Sequence, residues 1–222
     1  MSDANLNVPV ADIDLDVMHG GLGNPVLQAQ TIFRAIMDAM ARPGKVIALA
    51  SDARPPQPLT PITAAILATL ADADTPLWLD ASLSESKAVK DWLGFHLGAP
   101  LASESSEASF AVISSGKAVP SLDIFAKGLL EYPDRSTTLI IQVDALGNKP
   151  LWQLEGPGIK DSQPFSVEPI IQSFLPLWAS NNDLFPRGVD VIFSAPDALA
   201  CLPRTTRISV QDVSRTKKHQ EL

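Results

Sequence analysis

Residues 137–143 read TTLIIQV, and this β-branched, nearly continuous apolar stretch decides the class of the fold. A strand that is apolar at consecutive positions predicts burial on both faces, as in a sheet covered on either side. Shorter strand patterns precede and follow it along the chain, at residues 45–50, 76–80, 110–113, 188–193 and 205–210. The chain is therefore expected to build one sheet around this strand.

Helical patterns separate most of these strands. The first covers residues 24–42, and a second, rich in alanine, covers residues 60–70. Ser84 is predicted to cap the next helix, which Gly98 ends, and Ser166 to cap a last long helix. Alternating strands and helices are typical of the α/β class. The predicted fold is a three-layer α/β sandwich, with a mixed sheet and helices on both faces.

Two features complete the predicted organisation. Residues 151–154 (LWQL) follow the central strand after a short glycine-containing loop, which favours an antiparallel hairpin between the two strands. A length of 222 residues suits one domain, and no repeat or linker divides it. We expect an irregular lead-in at residues 1–23, a single domain at residues 24–210 and a polar tail at residues 211–222.

The composition excludes several functional classes. The formal net charge of −8 argues against a nucleic-acid scaffold, which needs a basic face. The single cysteine, Cys201, rules out an internal disulfide framework and suits a reducing compartment. The sequence has no run of about 20 apolar residues that would predict a membrane span. Its first residues lack the basic start and apolar core of a signal peptide. These features predict a cytoplasmic protein.

Catalytic and metal-binding patterns are not found in the sequence. The histidines His19, His96 and His219 lack metal-site spacing. The acidic stretch at residues 12–16 begins like a calcium loop but lacks its glycine and closing glutamate. Cys201 lies in an apolar setting that is typical of an inert thiol, and no nucleophile elbow or P-loop is present. We predict no catalytic residue and no metal site.

The arginines leave anion binding open as a function of this chain. Arginines near turns and element ends can fork onto phosphate or carboxylate groups. They can equally cap helix ends or pair with acids such as Asp38 and Asp190. Proline–glycine turns (RPG, GPG, FPRG) could shape a cavity, and the start of the first helix offers a further phosphate site. The candidate residues are Arg34, Arg42, Arg187, Arg204 and Arg207.

Three segments taken together resemble one protein family. They are residues 33–44 (FRAIMDAMARPG), residues 154–159 (LEGPGI) and the block from WASNNDLFPRGVD at 178–190 to LPRTTR at 202–207. Their order and spacing resemble the H subunit of the bacterial carbon–phosphorus lyase, from about residue 24 to residue 210. The resemblance implies a fold similar to the large domain of pyridoxal-phosphate-dependent transferases, without that cofactor. Lys117, the lysine in the most suggestive context, is expected on a surface loop.

The resemblance also implies a function within a complex. That machinery transfers ribose triphosphate from ATP to an alkylphosphonate, releases adenine, and later breaks the carbon–phosphorus bond. This chain would act as an accessory subunit with the G, I and J subunits, and with L in the transferase step. ATP and iron–sulfur chemistry would lie on those partners. Whether the chain is itself an enzyme stays open.

Two alternative readings of the sequence differ in class. One is an independent small-molecule-binding protein or transferase that holds a nucleotide, a phosphonate or a phosphate cofactor. The other is a purely self-associating structural protein, for which Trp152 and Phe185 are the candidate exposed aromatics. A homodimer is expected for the isolated chain, since a subunit without its partners exposes an apolar face. The candidate contact surfaces are residues 178–190 and the predicted hairpin around 146–154.

Overall fold

The computed structural model describes residues 19–210, apart from the side chains of residues 148–151. The α-helices are α1 (Pro25–Ala41), α2 (Pro61–Leu70), α3 (Ala81–Ser84), α4 (Lys87–Leu97) and α5 (Phe174–Asn182). The strands are β1 (Ile47–Ala48), β2 (Leu77–Leu79), β3 (Phe110–Ile113), β4 (Thr138–Gln142), β5 (Ala145–Glu155), β6 (Gln163–Glu168), β7 (Asp190–Ala195), β8 (Ala198–Leu202) and β9 (Arg207–Val210). Most of the predicted lead-in, the polar tail, the acidic stretch at 12–16 and His219 lie outside the described residues.

A six-stranded mixed sheet has β4 near its centre. The strand order is β1-β8-β7-β4-β3-β2, in which β2, β3, β4 and β7 run parallel. The strands β8 and β1 complete the sheet, each antiparallel to its inner neighbour. The α/β class and the mixed sheet are thus confirmed. The sequence reading misses β8, whose five residues (ALACL) are all apolar or small and show no strand alternation.

The predicted hairpin between residues 137–143 and 151–154 is wrong. Both edges of β4 are already occupied by parallel strands, β3 on one side and β7 on the other. No edge is therefore free for an antiparallel return. The chain instead leaves the main sheet, and β5 forms a separate three-stranded sheet in the order β6-β5-β9.

The main sheet separates two apolar clusters, and its strands alternate between them. Ile140 packs into a cluster with α1, α2 and α4, whereas Leu139 and Ile141 point into the opposite cluster. That second cluster is built from the small sheet and α5, through Trp152, Phe165, Phe174 and Trp178. The expectation of helices on both faces is met on the first face. On the second, the small sheet provides most of the cover.

Helix boundaries follow local capping chemistry. The start of α1 is as predicted, since the Asn24 side chain accepts from the Leu27 amide at 3.2 Å. Ser86, and not Ser84, caps α4, because the chain first forms the single-turn helix α3, whose N-cap is Asp80. Gly98 ends α4 with a left-handed φ of 66°, as predicted.

The last helix is shorter than predicted. Ser166 does not cap it, because this residue lies inside β6, where it pairs with β5. Pro169 follows directly after β6, and α5 begins only at Phe174. Pro176 then falls in the first turn of α5, where a proline is tolerated, so it does not kink the helix interior. The part of the chain that the structure describes holds no helix long and apolar enough to cross a membrane.

Candidate functional site

Arg204 is a structural residue that holds two parts of the fold together. Its side chain is 12% exposed, and it donates hydrogen bonds to the Asp190 carboxylate from Nε at 3.1 Å and from Nη2 at 2.5 Å. Its remaining bonds reach the loop between β3 and β4: Nη1 donates to the Pro133 carbonyl at 2.7 Å and Nη2 to Ser136 Oγ at 2.5 Å. With its donors engaged in this way, Arg204 has little left to offer a ligand.

Three of the other predicted arginines have separate surroundings. Arg34 is exposed in the middle of α1, and Arg207 is exposed on β9 opposite Glu155. Arg187 follows α5, and its buried Nε has no hydrogen-bond partner within residues 19–210. None of these three, nor Arg204, lines the cleft that contains Arg42.

That cleft forms where two glycine turns pack against each other. Gly44 in the RPG turn has a φ of +77°, and an added Cβ would lie 2.6 Å from Leu154 Cδ1. Gly158 in the GPG turn has a φ of +83°, and an added Cβ there would overlap the Ala41 carbonyl oxygen at the end of α1. Because both positions combine a left-handed φ with a tight contact, only glycine lets the turns approach this closely.

The cleft between the turns is basic. It has a volume of about 320 Å³ and is lined by Arg42, Pro43, Lys45, Val46, Gly158, Ile159, Lys160 and Gln163. Arg42 and Lys45 share one carboxylate, Asp38, with Lys45 Nζ lying 2.8 Å from Asp38 Oδ2. Lys160 forms no ion pair with a described residue, and no acidic residue belongs to the described lining. Three cations against one carboxylate leave the cleft positively charged.

Sequence reasoning found Arg42 here but missed Lys45, Lys160 and Gln163. A signal was present, since a lysine directly follows RPG and another lies two residues after GPG. The turns are more than 110 positions apart in the chain, however, and their contact depends on the path of β5. Only the folded chain shows that these residues share one cleft.

The start of α1 is a poor anion site, although it borders a cleft of about 500 Å³ that includes His19 and His96. The Asp52 carboxylate already accepts from the Gly23 amide at 3.4 Å. Hydrogen bonds from the Gln28 side chain and from this amide lower the pKa of Asp52, which keeps the carboxylate ionised. An anion would meet this negative charge, so the phosphate option that the sequence leaves open is disfavoured.

The carboxyl ends of the parallel strands, where α/β sheets commonly bind ligands, are closed by side chains of the protein itself. Asp80 Oδ2 accepts from the amide and the hydroxyl of Ser114 at 2.7 and 2.6 Å. Gln142 donates to the Pro58 carbonyl at 2.9 Å and accepts from the Thr60 amide at 2.8 Å. Gln142 thereby fixes the loop before α2, and Asp80 joins the end of β3 to the start of α3.

The cysteine and the lysine singled out in the sequence lie in different settings, Cys201 buried and Lys117 exposed. Cys201 is buried as predicted, and burial together with the nearby Asp190 charge raises the pKa of its thiol well above the usual range. Lys117 is exposed on a short 3₁₀ turn, as predicted. Within residues 19–210, no three histidine, cysteine or acidic side chains lie close enough together to hold a metal ion.

Comparisons with known proteins agree over nearly the whole described chain. A family profile described as "Bacterial phosphonate metabolism protein (PhnH)" matches residues 20–209. The alpha-D-ribose 1-methylphosphonate 5-triphosphate synthase subunit PhnH of Rhizobium meliloti (strain 1021) is 46% identical over 193 residues, covering 86% of this chain and 96% of that protein. A putative C-P lyase subunit protein, HtxG of Stutzerimonas stutzeri, is 32% identical over 186 residues, covering 82% of this chain and 86% of that protein. The chain belongs to the PhnH family of bacterial phosphonate metabolism proteins.

Proposed function

We propose that this chain is an accessory subunit of a carbon–phosphorus lyase complex in phosphonate degradation. It would support the step that transfers ribose triphosphate from ATP to an alkylphosphonate with release of adenine. The observation that carries the proposal is the 46% identity, over 86% of the chain, to a protein named as a subunit of alpha-D-ribose 1-methylphosphonate 5-triphosphate synthase.

An accessory role fits the chemistry of the described residues. The Cys201 thiol is buried and held in its protonated form. The Asp80 side chain already accepts hydrogen bonds from Ser114 and, as the N-cap of α3, from the Leu83 amide. Lys117 is exposed on its 3₁₀ turn. We therefore place the ATP and iron–sulfur chemistry on the partner subunits, namely G, I and J, with L in the transferase step.

The loop between β3 and β4 is the apolar surface we propose for contact with a partner subunit. It exposes Leu129, Leu130 and Tyr132, and Arg204 anchors its far side through the carbonyl of Pro133. Exposed apolar side chains on an anchored loop lose little conformational entropy when they bind, which favours a stable interface. The same surface would support the homodimer proposed for the isolated chain.

The two surfaces predicted from sequence differ in their exposure. Phe185, within residues 178–190, is 62% exposed and stays a candidate contact. Trp152 is only 2% exposed, so its predicted exposure is wrong: it packs against Phe165 and Phe174 in the core below the small sheet. Trp152 is therefore not a contact candidate on that surface.

Co-expression with the partner subunits, followed by affinity purification and sizing, tests the proposal. We expect a stable complex of fixed stoichiometry that contains this chain. Leu130→Ser, at a side chain that is 67% exposed, should weaken assembly, and Phe185→Ser tests the alternative surface. Val26→Ser is the matched control, since Val26 is 78% exposed at the start of α1. A wild-type chain that never joins the complex would refute the subunit role. Equal effects of Leu130→Ser and Val26→Ser on assembly would refute the loop between β3 and β4 as the contact surface.

We further propose that the fold is related to the large domain of pyridoxal-phosphate-dependent transferases but that this chain does not bind the cofactor. The mixed sheet with helices packed on one face supports the first part. A Schiff base needs a lysine buried beside the cofactor, and Lys117 is exposed, which supports the second. Incubation with pyridoxal phosphate and borohydride, followed by mass spectrometry, should give no stoichiometric label on Lys117; the lysines of the basic cleft, Lys45 and Lys160, are left out of this test because a phosphate site can itself bind the reagent. Stoichiometric labelling of one lysine outside that cleft would contradict the proposal.

The independent ligand-binding reading is kept as a second candidate because of the basic cleft beside Arg42. Its test is binding by the isolated chain, with no partner subunit present.

A further inference from the structure

We propose that the cleft between the RPG and GPG turns binds the phosphate groups of a polyphosphate ligand. Arg42, Lys45 and Lys160 would contact the phosphate oxygens. The choice of a triphosphate as the physiological form rests on the proposed function, whereas the existence of the site rests on the cleft itself. No other predicted arginine takes part.

The cleft is built on rigid backbone. Gly158 lies against the last turn of α1, and Gly44 lies against Leu154 and Gln163, which are paired across β5 and β6. Two turns in fixed contact hold the backbone positions of the three cations before a ligand arrives, which lowers the entropic cost of binding. The volume of about 320 Å³ lies at the lower end of the range for small-molecule sites and is large enough for a short phosphate chain.

Asp38 gives the site its geometry. It pairs with Arg42 and Lys45, which lie on either side of the RPG turn, and so holds both side chains near one wall of the cleft. One carboxylate cannot neutralise both cations. Lys160 adds a third positive charge from the GPG side. The guanidinium of Arg42 suits bidentate binding of a phosphate, while the two ammonium groups act as point charges.

The charge of the cleft contrasts with that of the whole chain. The protein carries a formal net charge of −8, so a general attraction for anions is not expected. A local group of cations with no acid in the described lining is therefore unlike the average surface. Cations concentrated around a concave, partly enclosed space attract anions more strongly than the same cations spread over a flat surface.

Calorimetric titration of the full chain with inorganic tripolyphosphate at low ionic strength tests this proposal. We expect saturable one-to-one binding that weakens as salt is added. Lys45→Gln and Lys160→Gln should each weaken the binding by about three- to tenfold, the effect of removing one partly exposed charge near a polyanion. Lys90→Gln is the matched control, because Lys90 is exposed on α4 and does not line the cleft. Circular dichroism and thermal melting establish that each variant is folded.

The outcomes separate phosphate recognition from other binding. ATP that binds no more than a few times tighter than tripolyphosphate supports a site for the phosphate chain. ATP binding without any tripolyphosphate binding, no binding of either, or an equal effect of Lys90→Gln and the two cleft variants would each overturn the proposal. Co-expression reports on the subunit role independently. A chain that joins the complex but binds no tripolyphosphate overturns the cleft proposal alone.

Discussion

Replacing Arg204 with methionine should destabilise the protein and leave anion binding unchanged. Methionine keeps an unbranched apolar stem but removes the guanidinium from the Asp190 carboxylate, the Pro133 carbonyl and Ser136. Breaking a buried ion pair costs about 3–5 kcal/mol, because the remaining charge is left without its partner. The Asp190 side chain is 20% exposed, so water recovers part of that cost. We expect a loss of about 2–4 kcal/mol in the free energy of unfolding.

Urea unfolding measures this loss, and thermal melting checks it. For a chain of this size, the expected loss corresponds to a fall in Tm of roughly 5–15 °C. Arg34→Met is the matched control, since Arg34 is exposed on α1, and it should change the free energy by no more than about 0.5 kcal/mol. Asp190→Asn and the double variant complete a double-mutant cycle. The coupling energy between Arg204 and Asp190 should be at least about 1 kcal/mol.

Two results would refute this reasoning. A loss below about 1 kcal/mol, equal to that of Arg34→Met, would show that the bonds of Arg204 contribute little to stability. Unchanged stability together with weaker tripolyphosphate binding would show that Arg204 serves a ligand, as the sequence allowed. The expected result assigns Arg204 to the stability of the fold and not to ligand binding.

Three further substitutions or treatments test other parts of the structure. Gly158→Ala should lower the free energy of unfolding, measured in urea, by about 2–4 kcal/mol, because it adds left-handed strain to a clash. Its control, Gly94→Ala, lies in an open position on α4 and should stabilise the protein by about 0.5–1 kcal/mol. A comparable effect at both sites would contradict the close packing of the two glycine turns. Cys201 should react with a thiol reagent only after unfolding, and rapid labelling of the native chain would contradict its burial. The pKa of Asp52 is lowered first by its hydrogen bond with Gln28, so the ionised carboxylate contributes stability above the unfolded-state pKa and this contribution is lost as pH falls through the folded-state pKa. Asp52→Asn should therefore reduce the fall of the urea midpoint at acid pH. An unchanged fall would contradict the assignment.

The core of the fold could be predicted because its signals are local. The N-cap at Asn24 and the left-handed Gly98 set helix ends within a few residues, and the continuous apolar pattern of β4 predicts its burial on both faces. These signals depend on backbone hydrogen bonds and side-chain burial close to the residue itself. They are accordingly read correctly without knowledge of the tertiary structure.

The errors arise where pairing between distant segments overrides the local pattern. The segment LWQL follows β4 closely in sequence, yet β4 is already paired on both edges and β5 must find other partners. Ser166 has the chemistry of a helix cap, but the pairing of β6 with β5 places it in a strand. The cleft follows the same rule, since Lys45 and Lys160 come together only through contacts between the two glycine turns.

The three segments that carry the family resemblance meet in one region of the structure. The RPG turn packs on Leu154, which precedes the GPG turn, and Gly158 packs on Ala41.

The third segment contacts the second at Gly156. An added Cβ at Gly156 would lie 2.9 Å from the Thr205 carbonyl oxygen, and Trp178 Nε1 donates to the Thr206 carbonyl at 2.8 Å. Segments scattered over more than 160 positions thus form one packed junction between α1, the small sheet and α5. Each short motif is weakly specific alone because any turn can contain proline and glycine. Their combination is specific because Gly44, Gly156 and Gly158 each fit against a surface that another of the three segments provides. The basic cleft opens between the first two segments, so an anion bound there would stabilise the packing of these two against each other.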